Sequence, residues 1–275
     1  MEQFFNHRQL FYFLPMVFLA ILFESILYRR HFNKSYPWAE SATSLGVGLG
    51  HQLTGIINLL LIQGVMASFI WKYRFFTMPD AWWTYPALFI GLEFCYYWYH
   101  RASHEVYLMW ATHSTHHSPN EMTLSAAYRL GWMPFLSFTW VFFLPLVLIG
   151  FSPVTVFTML SISLMYQFWL HTKLINKLGF LEGIFNTPSS HRVHHASNTA
   201  YLDKNYGGIL ILFDRLFGTY AKEEDDVEIV YGLTHPTYSA NPFSVVFHVW
   251  GELLSKFFAK SSVSEKIKLL FLPPQ

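Results

Sequence analysis

The chain has 275 residues, of which 53% are hydrophobic, 20% aromatic and only 13% charged, with a formal net charge of +1. So little charge excludes an ordinary soluble domain, where about a quarter of residues are charged, and the near-neutral balance without a basic block excludes nucleic acid as a partner. A single cysteine, Cys95, placed inside an apolar stretch, excludes both a disulfide framework and a thiolate zinc site.

A helical bilayer crossing takes about 20 apolar residues, and five stretches are predicted to make one: residues 10–28, 45–71, 82–99, 130–149 and 153–170. The first contains only Glu24 as a charge, the third only Glu93, and the others none. Residues 10–28 are read as a retained span, because they carry Glu24 and lack a small-residue cleavage site. Residues 130–170 are predicted to form a hairpin about Gly150-Phe151-Ser152-Pro153, which keeps the segments before and after it on one side of the bilayer. Arg29, Arg30 and Lys34 follow the first span, and Lys173, Lys177 and Arg192 follow the fifth. These charges place that side in the cytoplasm, with Lys72 and Arg74 opposing.

Nine of fourteen histidines fall between positions 100 and 195, and eight of them form three clusters: His100/His104, His113/His116/His117 and His191/His194/His195. Spacings of three and four residues put the imidazoles of a helix on one face. Clustered imidazoles without a metal bring no evident stability and cost helix propensity. Three such clusters offer more ligands than the four that one zinc ion needs, so the count points to two metal ions. The ligand type leaves their identity open. An all-nitrogen pair facing a bilayer suits oxygen activation, which needs a redox metal. His7, His31, His51 and His248 stand alone and are read as packed or interfacial.

Beyond the third cluster, an apolar run at 209–213 opens after Gly207-Gly208 and is predicted to be a short surface-packed helix flanked by Asp203, Lys204, Asp214 and Arg215. The acidic run at 223–226 is read as a solvated loop. The tail at 245–271 mixes Phe257, Phe258 and Leu269 with Lys256, Lys260, Lys266 and Lys268, an amphipathic, interfacial pattern. With no internal repeat or linker, the chain is predicted to be one all-α membrane domain, 1–275. About five spanning helices would carry a cytosolic histidine-rich helical cap, with the histidine-cluster core at 93–220.

The three histidine clusters, with Tyr96-Tyr97-Trp98-Tyr99-His100-Arg101 and Asn186-Thr187-Pro188-Ser189-Ser190-His191-Arg192-Val193-His194-His195, resemble the signature of the fatty acid hydroxylase and sterol desaturase superfamily. More narrowly, Met109-Trp110-Ala111, Tyr166-Gln167-Phe168-Trp169, Asp203-Lys204-Asn205-Tyr206 and Tyr231-Gly232-Leu233-Thr234-His235-Pro236 are similar to its alkylglycerol monooxygenase branch. One departure is Ser189-Ser190-His191, where relatives often have Ser-His-His, and it leaves the ligand spacing intact. Ether-cleaving relatives typically carry further hydrophobic segments beyond the position matching Gln275.

The resemblance implies a membrane oxygenase in which the eight clustered histidines hold two iron ions, with His171 as a ninth ligand. It also implies a membrane lipid substrate, O2, and reducing equivalents from tetrahydrobiopterin or an electron-donor protein, since no dinucleotide-binding glycine fingerprint is visible. Glu105, directly after His104, is the candidate catalytic carboxylate, orienting an imidazole through its second nitrogen; the competing role is a surface salt bridge. Glu93 lies seven residues before His100 on the same helical face and needs a partner if buried. Asp203 and Asn205 are read as local backbone caps, and His235 is left without a role. A lipid desaturase and a non-catalytic metal-binding membrane protein are the alternatives, and the oligomeric state is open.

Overall fold

The computed structural model describes residues 7–235 and 239–274; the side chain of His7 and the whole of Pro236 lie outside that description. The architecture is all-helical, with ten α-helices and no strand among the described residues. Two isolated bridges, Phe185 with Leu210 and Ala196 with Tyr231, are the remaining extended pairings described.

Two long helices open the chain, α1 (His7–Phe32) and α2 (Trp38–Ser68). Helix α2 runs on through a 3-10 turn to Tyr73, and this 38–73 run is the one helix among the described residues long and apolar enough to cross a membrane. Its most apolar window is only 13% buried, and Leu53, Ile56 and Leu60 are 68%, 67% and 69% exposed. A helix apolar on its outer face has no reason to be so in water. On the opposite face, Gly50 lets the Trp132 ring lie directly on the backbone: a Cβ there would fall 2.0 Å from the ring, whose Nε1–H donates to the Val47 carbonyl at 2.9 Å.

The one charged residue within the first predicted span is a junction. Glu24 on α1 is buried and accepts hydrogen bonds from the Tyr36 hydroxyl at 2.8 Å, the Leu124 N–H at 2.9 Å and the Thr172 hydroxyl at 2.8 Å. It thus ties α1 to the segment that carries His171.

Helix α3 (Thr84–Glu105) and helix α4 (Tyr107–His117) are separated only by Val106, whose extended backbone (φ −114°, ψ 116°) breaks the helix and turns the chain. The predicted span at 130–149 is not a single helix. Residues 130–138 run irregularly, Thr139–Phe143 form a 3-10 turn, and only Leu144–Ile149 (α5) are α-helical. Pro134 and Pro145 each remove a backbone donor, Phe138 sits in the left-handed region at φ 56°, and residue 131 is pressed against the Thr112 backbone of α4. The segment is spent on packing against α2 and α4.

Ser152 caps α6 (Pro153–Phe168) by accepting the Thr155 N–H at 3.1 Å, and the chain reverses at Gly150–Ser152 as predicted. At 16 residues α6 is about 24 Å long, short of a hydrocarbon core of about 30 Å. A core of Met66, Leu88, Leu92, Phe143, Leu146 and Val156 joins α2, α3, α5 and α6, leaving the C-terminal end of α3 to the histidines.

Beyond α7 (Pro188–His194), residues 209–211 are not part of a surface helix. Ile211 is fully buried, and α8 (Leu212–Phe217) starts after it, because the 209–210 backbone is drawn inward to Glu93 and Phe185. The tail forms two helices, α9 (Pro242–Ala259) and α10 (Val263–Phe271), the second opened by a Ser262/Glu265 capping box. Val249 and Leu253 of α9 pack on Tyr107 and Ala111 of α4.

Candidate metal centre

Three helix ends and one post-helical residue converge. His100 and His104 close α3, His113, His116 and His117 close α4, and α7 carries His191 and His194 with His195 at its cap. His171 follows α6. Thr187 starts α7 by accepting the Ser190 N–H at 3.3 Å, with Pro188 at the first helical position.

The nine imidazoles sort into two groups, each able to hold a metal ion: His100, His104, His113, His117 and His194, and His116, His171, His191 and His195. The groups cut across the sequence clusters. Helices α4 and α7 give ligands to both, α3 only to the first, and His171 only to the second. Within the groups, neighbouring Nε2 atoms stand 3.0 Å (His100–His113), 3.2 Å (His113–His117), 3.3 Å (His116–His171), 3.0 Å (His171–His191) and 3.1 Å (His191–His195) apart. With metal–nitrogen bonds of about 2.0–2.1 Å, adjacent ligand atoms are expected about 3.0–3.4 Å apart.

The tautomers strengthen the case for a cation. Four imidazoles spend Nδ1 on backbone carbonyls: His100 donates to Tyr206 at 2.8 Å, His116 to Arg129 at 3.3 Å, His171 to Gln167 at 2.9 Å and His194 to Lys204 at 2.9 Å. A neutral ring that donates through Nδ1 carries a lone pair on Nε2. His116 and His171 therefore aim two lone pairs at each other across 3.3 Å, which repel unless a cation lies between them. His194 Nε2 and His104 Nε2 are buried and without a hydrogen-bond partner, as atoms reserved for a metal would be.

Burial, reinforced by neighbouring imidazoles, lowers His113, His116, His117, His191, His194 and His195 well below the usual histidine range. His100 falls to about 3 and His171 to about 4, desolvation being the main cause in both. The rings are therefore neutral and ligand-competent at physiological pH. With the folded values below the unfolded one of about 6.5, the unfolded chain binds more protons under that pH. Stability of the metal-free protein should thus be unaffected above pH 6.5 and fall as the pH drops toward 4, by about 1.4 kcal/mol per pH unit for each of His100 and His171. Thermal unfolding in detergent from pH 8 to 5 checks this, and a flat profile would contradict it.

Two buried carboxylates hold the backbone that orients His100. Asp214 accepts the N–H groups of Tyr206 at 2.7 Å and Gly207 at 2.8 Å, and the Thr219 hydroxyl at 2.7 Å. Glu93 accepts those of Ile209 at 2.7 Å and Leu210 at 2.8 Å, and the Ser163 hydroxyl at 2.9 Å. The partner expected for Glu93 is thus a loop backbone. On the other side Arg129, whose carbonyl receives His116, is buried against Glu40 at 2.9 Å.

Glu105 stands in the second of its two expected roles: it is half-exposed and paired with Arg101 at 2.8 Å. The carboxylate facing an imidazole is Asp203, 3.6 Å from His104 Nδ1. Asn205 caps backbone as expected, donating to the Ser190 and Ala221 carbonyls at 3.0 and 2.8 Å. His235 lines a cavity beside the first group. His51 is packed, its Nδ1 2.9 Å from the Gly131 carbonyl, and His248 pairs with Glu252. Arg129, Glu40 and the role of Asp214 were missed; the only signal was charge in otherwise apolar surroundings.

Comparison with known proteins places a fatty acid hydroxylase domain at residues 85–219, the span that contains all nine histidines. The chain is 41% identical to human alkylglycerol monooxygenase over 238 residues, covering 86% of this chain and 52% of the relative. It is 28% identical to an ornithine lipid hydroxylase of Rhizobium tropici over 217 residues, 76% of this chain and 65% of the relative. It is also 29% identical to a Delta(7)-sterol 5(6)-desaturase of Aspergillus fumigatus over 152 residues, 52% of this chain and 39% of the relative. The chain spans about half the length of the alkylglycerol monooxygenases it matches. No solved structure matches it.

Proposed function

We propose that this chain, which belongs to the fatty acid hydroxylase family by its domain at residues 85–219, is a membrane lipid monooxygenase with two iron ions at its histidine groups. When bound, the irons supply the activation of O2 that attack on an unactivated C–H bond requires. The observation that carries this reading is the facing pair of Nε2 lone pairs on His116 and His171, inside a domain similar to lipid hydroxylases.

The chain's own residues supply orientation and dryness. The carbonyls of Tyr206, Arg129, Gln167 and Lys204 fix four imidazoles in the ligating tautomer. Burial of the histidines keeps bulk water from the reacting atoms. The outward apolar faces of α1 and α2 set the domain in a bilayer, from which a lipid chain reaches the site along α3 and α6. The basic residues after α1 and α6 put the histidines on the cytoplasmic face.

One atom of O2 enters the lipid C–H bond and the other leaves as water, with two electrons and two protons drawn from tetrahydrobiopterin or an electron-donor protein. Where the attacked carbon bears an ether oxygen, the resulting hemiacetal separates into aldehyde and alcohol. The similarity to a sterol desaturase supports a second reading, removal of two hydrogens from the same lipid.

Mass spectrometry of lipids from cells with and without the chain tests both. The expected result is a product that has gained one oxygen atom, or its aldehyde. Loss of two hydrogens selects desaturation. Purified protein with exchangeable zinc and no lipid product under either reductant overturns both.

A further inference from the structure

A cavity of about 200 Å³ opens onto the first histidine group from the side away from the apolar core, between α4, α9 and the loops at 196–203 and 232–235. Its floor includes His104 and His194, whose Nε2 atoms are buried and unpartnered. Trp110, Tyr107 and Val249 form apolar wall, and the charged side chains that line it are the carboxylates of Asp203 and Glu252. No lysine or arginine is among its described lining residues. Glu252 is held by His248 Nε2 at 3.2 Å and is 42% exposed at its side chain. The nearest basic group, Lys256, belongs to the adjoining outer groove, where its ammonium lies 3.3 Å from the Tyr107 hydroxyl.

We infer that this cavity seats the headgroup of the lipid and selects donor-bearing, non-anionic headgroups, a polyol or an amine, over phosphate-bearing ones. The inference rests on the monooxygenase reading and names the substrate class for the same site. Two facts carry it. The volume is that of about six or seven water-sized groups at about 30 Å³ each, enough for a three-carbon polyol or a short amino alcohol and too little for a phosphodiester with its base; the alkyl chain must lie elsewhere. The available charged partners are acceptors only, so hydroxyl and ammonium donors are satisfied, while a phosphate meets like charge with no guanidinium or ammonium to offset it. The headgroup so held lies against His104 and His194, which sets the first carbons of the chain at the metal-binding face.

Equilibrium binding to the purified full chain in detergent, read by tryptophan fluorescence, tests this. Three single-chain probes of equal chain length are compared: a monoalkylglycerol, an alkyl amino alcohol and the monoalkylglycerol phosphate. The neutral and amine probes are expected to bind at least ~10-fold more tightly than the phosphate, a ratio typical of a nearby like charge. Glu252→Lys should reverse or abolish that ranking and Glu252→Gln should reduce it. Since Glu252 is half-exposed, both variants are expected to fold.

Equal binding of all three probes, or an unchanged ranking in Glu252→Lys, overturns the assignment. Oxidation of the probes is measured in parallel. Oxidation without headgroup discrimination removes the pocket assignment and leaves the oxygenase. Discrimination without oxidation under either reductant removes the oxygenase and leaves a headgroup-binding cavity.

Discussion

Replacing His116 or His194 with alanine is expected to lower turnover by more than about a hundredfold, because even residues that merely orient metal ligands commonly cost 10–100-fold. The two variants should differ in a way that tests the partition. His194 belongs to the first group and His116 to the second, so each should lose one ion of the pair and keep the other. Metal analysis of purified protein would show this. Stability should move in opposite directions with and without metal. In the metal-free protein His116→Ala removes one of two lone pairs facing each other across 3.3 Å and should raise the unfolding temperature or leave it unchanged. In the loaded protein it should lower it. Undiminished turnover and full metal content in either variant would take that residue out of the ligand set.

Glu93→Ala is expected to be the most damaging change outside the histidines. The side chain is fully buried and satisfies two backbone N–H groups and the Ser163 hydroxyl. Leaving such donors unpaired costs about 1–3 kcal/mol each, so a loss of about 3 kcal/mol or more follows. The effect should extend to the metal: the 206–210 backbone, held between Glu93 and Asp214, carries the Tyr206 carbonyl that orients His100. A weakening of metal affinity by about 10–100-fold at the first group is expected, measurable by chelator competition on protein that remains folded. Glu105→Gln provides the contrast. Its pair with Arg101 is half-exposed, so the change should be within about 1 kcal/mol. A Glu93→Ala variant as stable and as metal-retentive as Glu105→Gln would contradict this account.

The sequence made the histidine motif legible because helical periodicity is local. His100/His104, His113/His117 and His191/His195 are each four residues apart, and each pair was bound to share a helical face wherever its helix went. Glu24 and Glu93 announced buried partners in the same way, as charges in apolar surroundings. Hydrophobicity alone misled at 130–149, since an apolar stretch can be a crossing helix or packed irregular chain. Pro134 and Pro145 were the visible warning. The same ambiguity affected 209–211, apolar because buried rather than because helical.

Residue types and local spacing, by themselves, determined that this chain is helical, rich in outward apolar surface and equipped with imidazoles enough for two ions. Which imidazole serves which ion was decided only by the tertiary structure. His113 and His116 share a helix yet point into different groups, and His171, alone in the sequence, completes the second. Helical spacing fixes a side chain's direction relative to its own axis, whereas the meeting point of α3, α4, α7 and the end of α6 depends on how those axes cross. That crossing is set by distant carboxylates and backbone donors, whose partnerships no local pattern encodes.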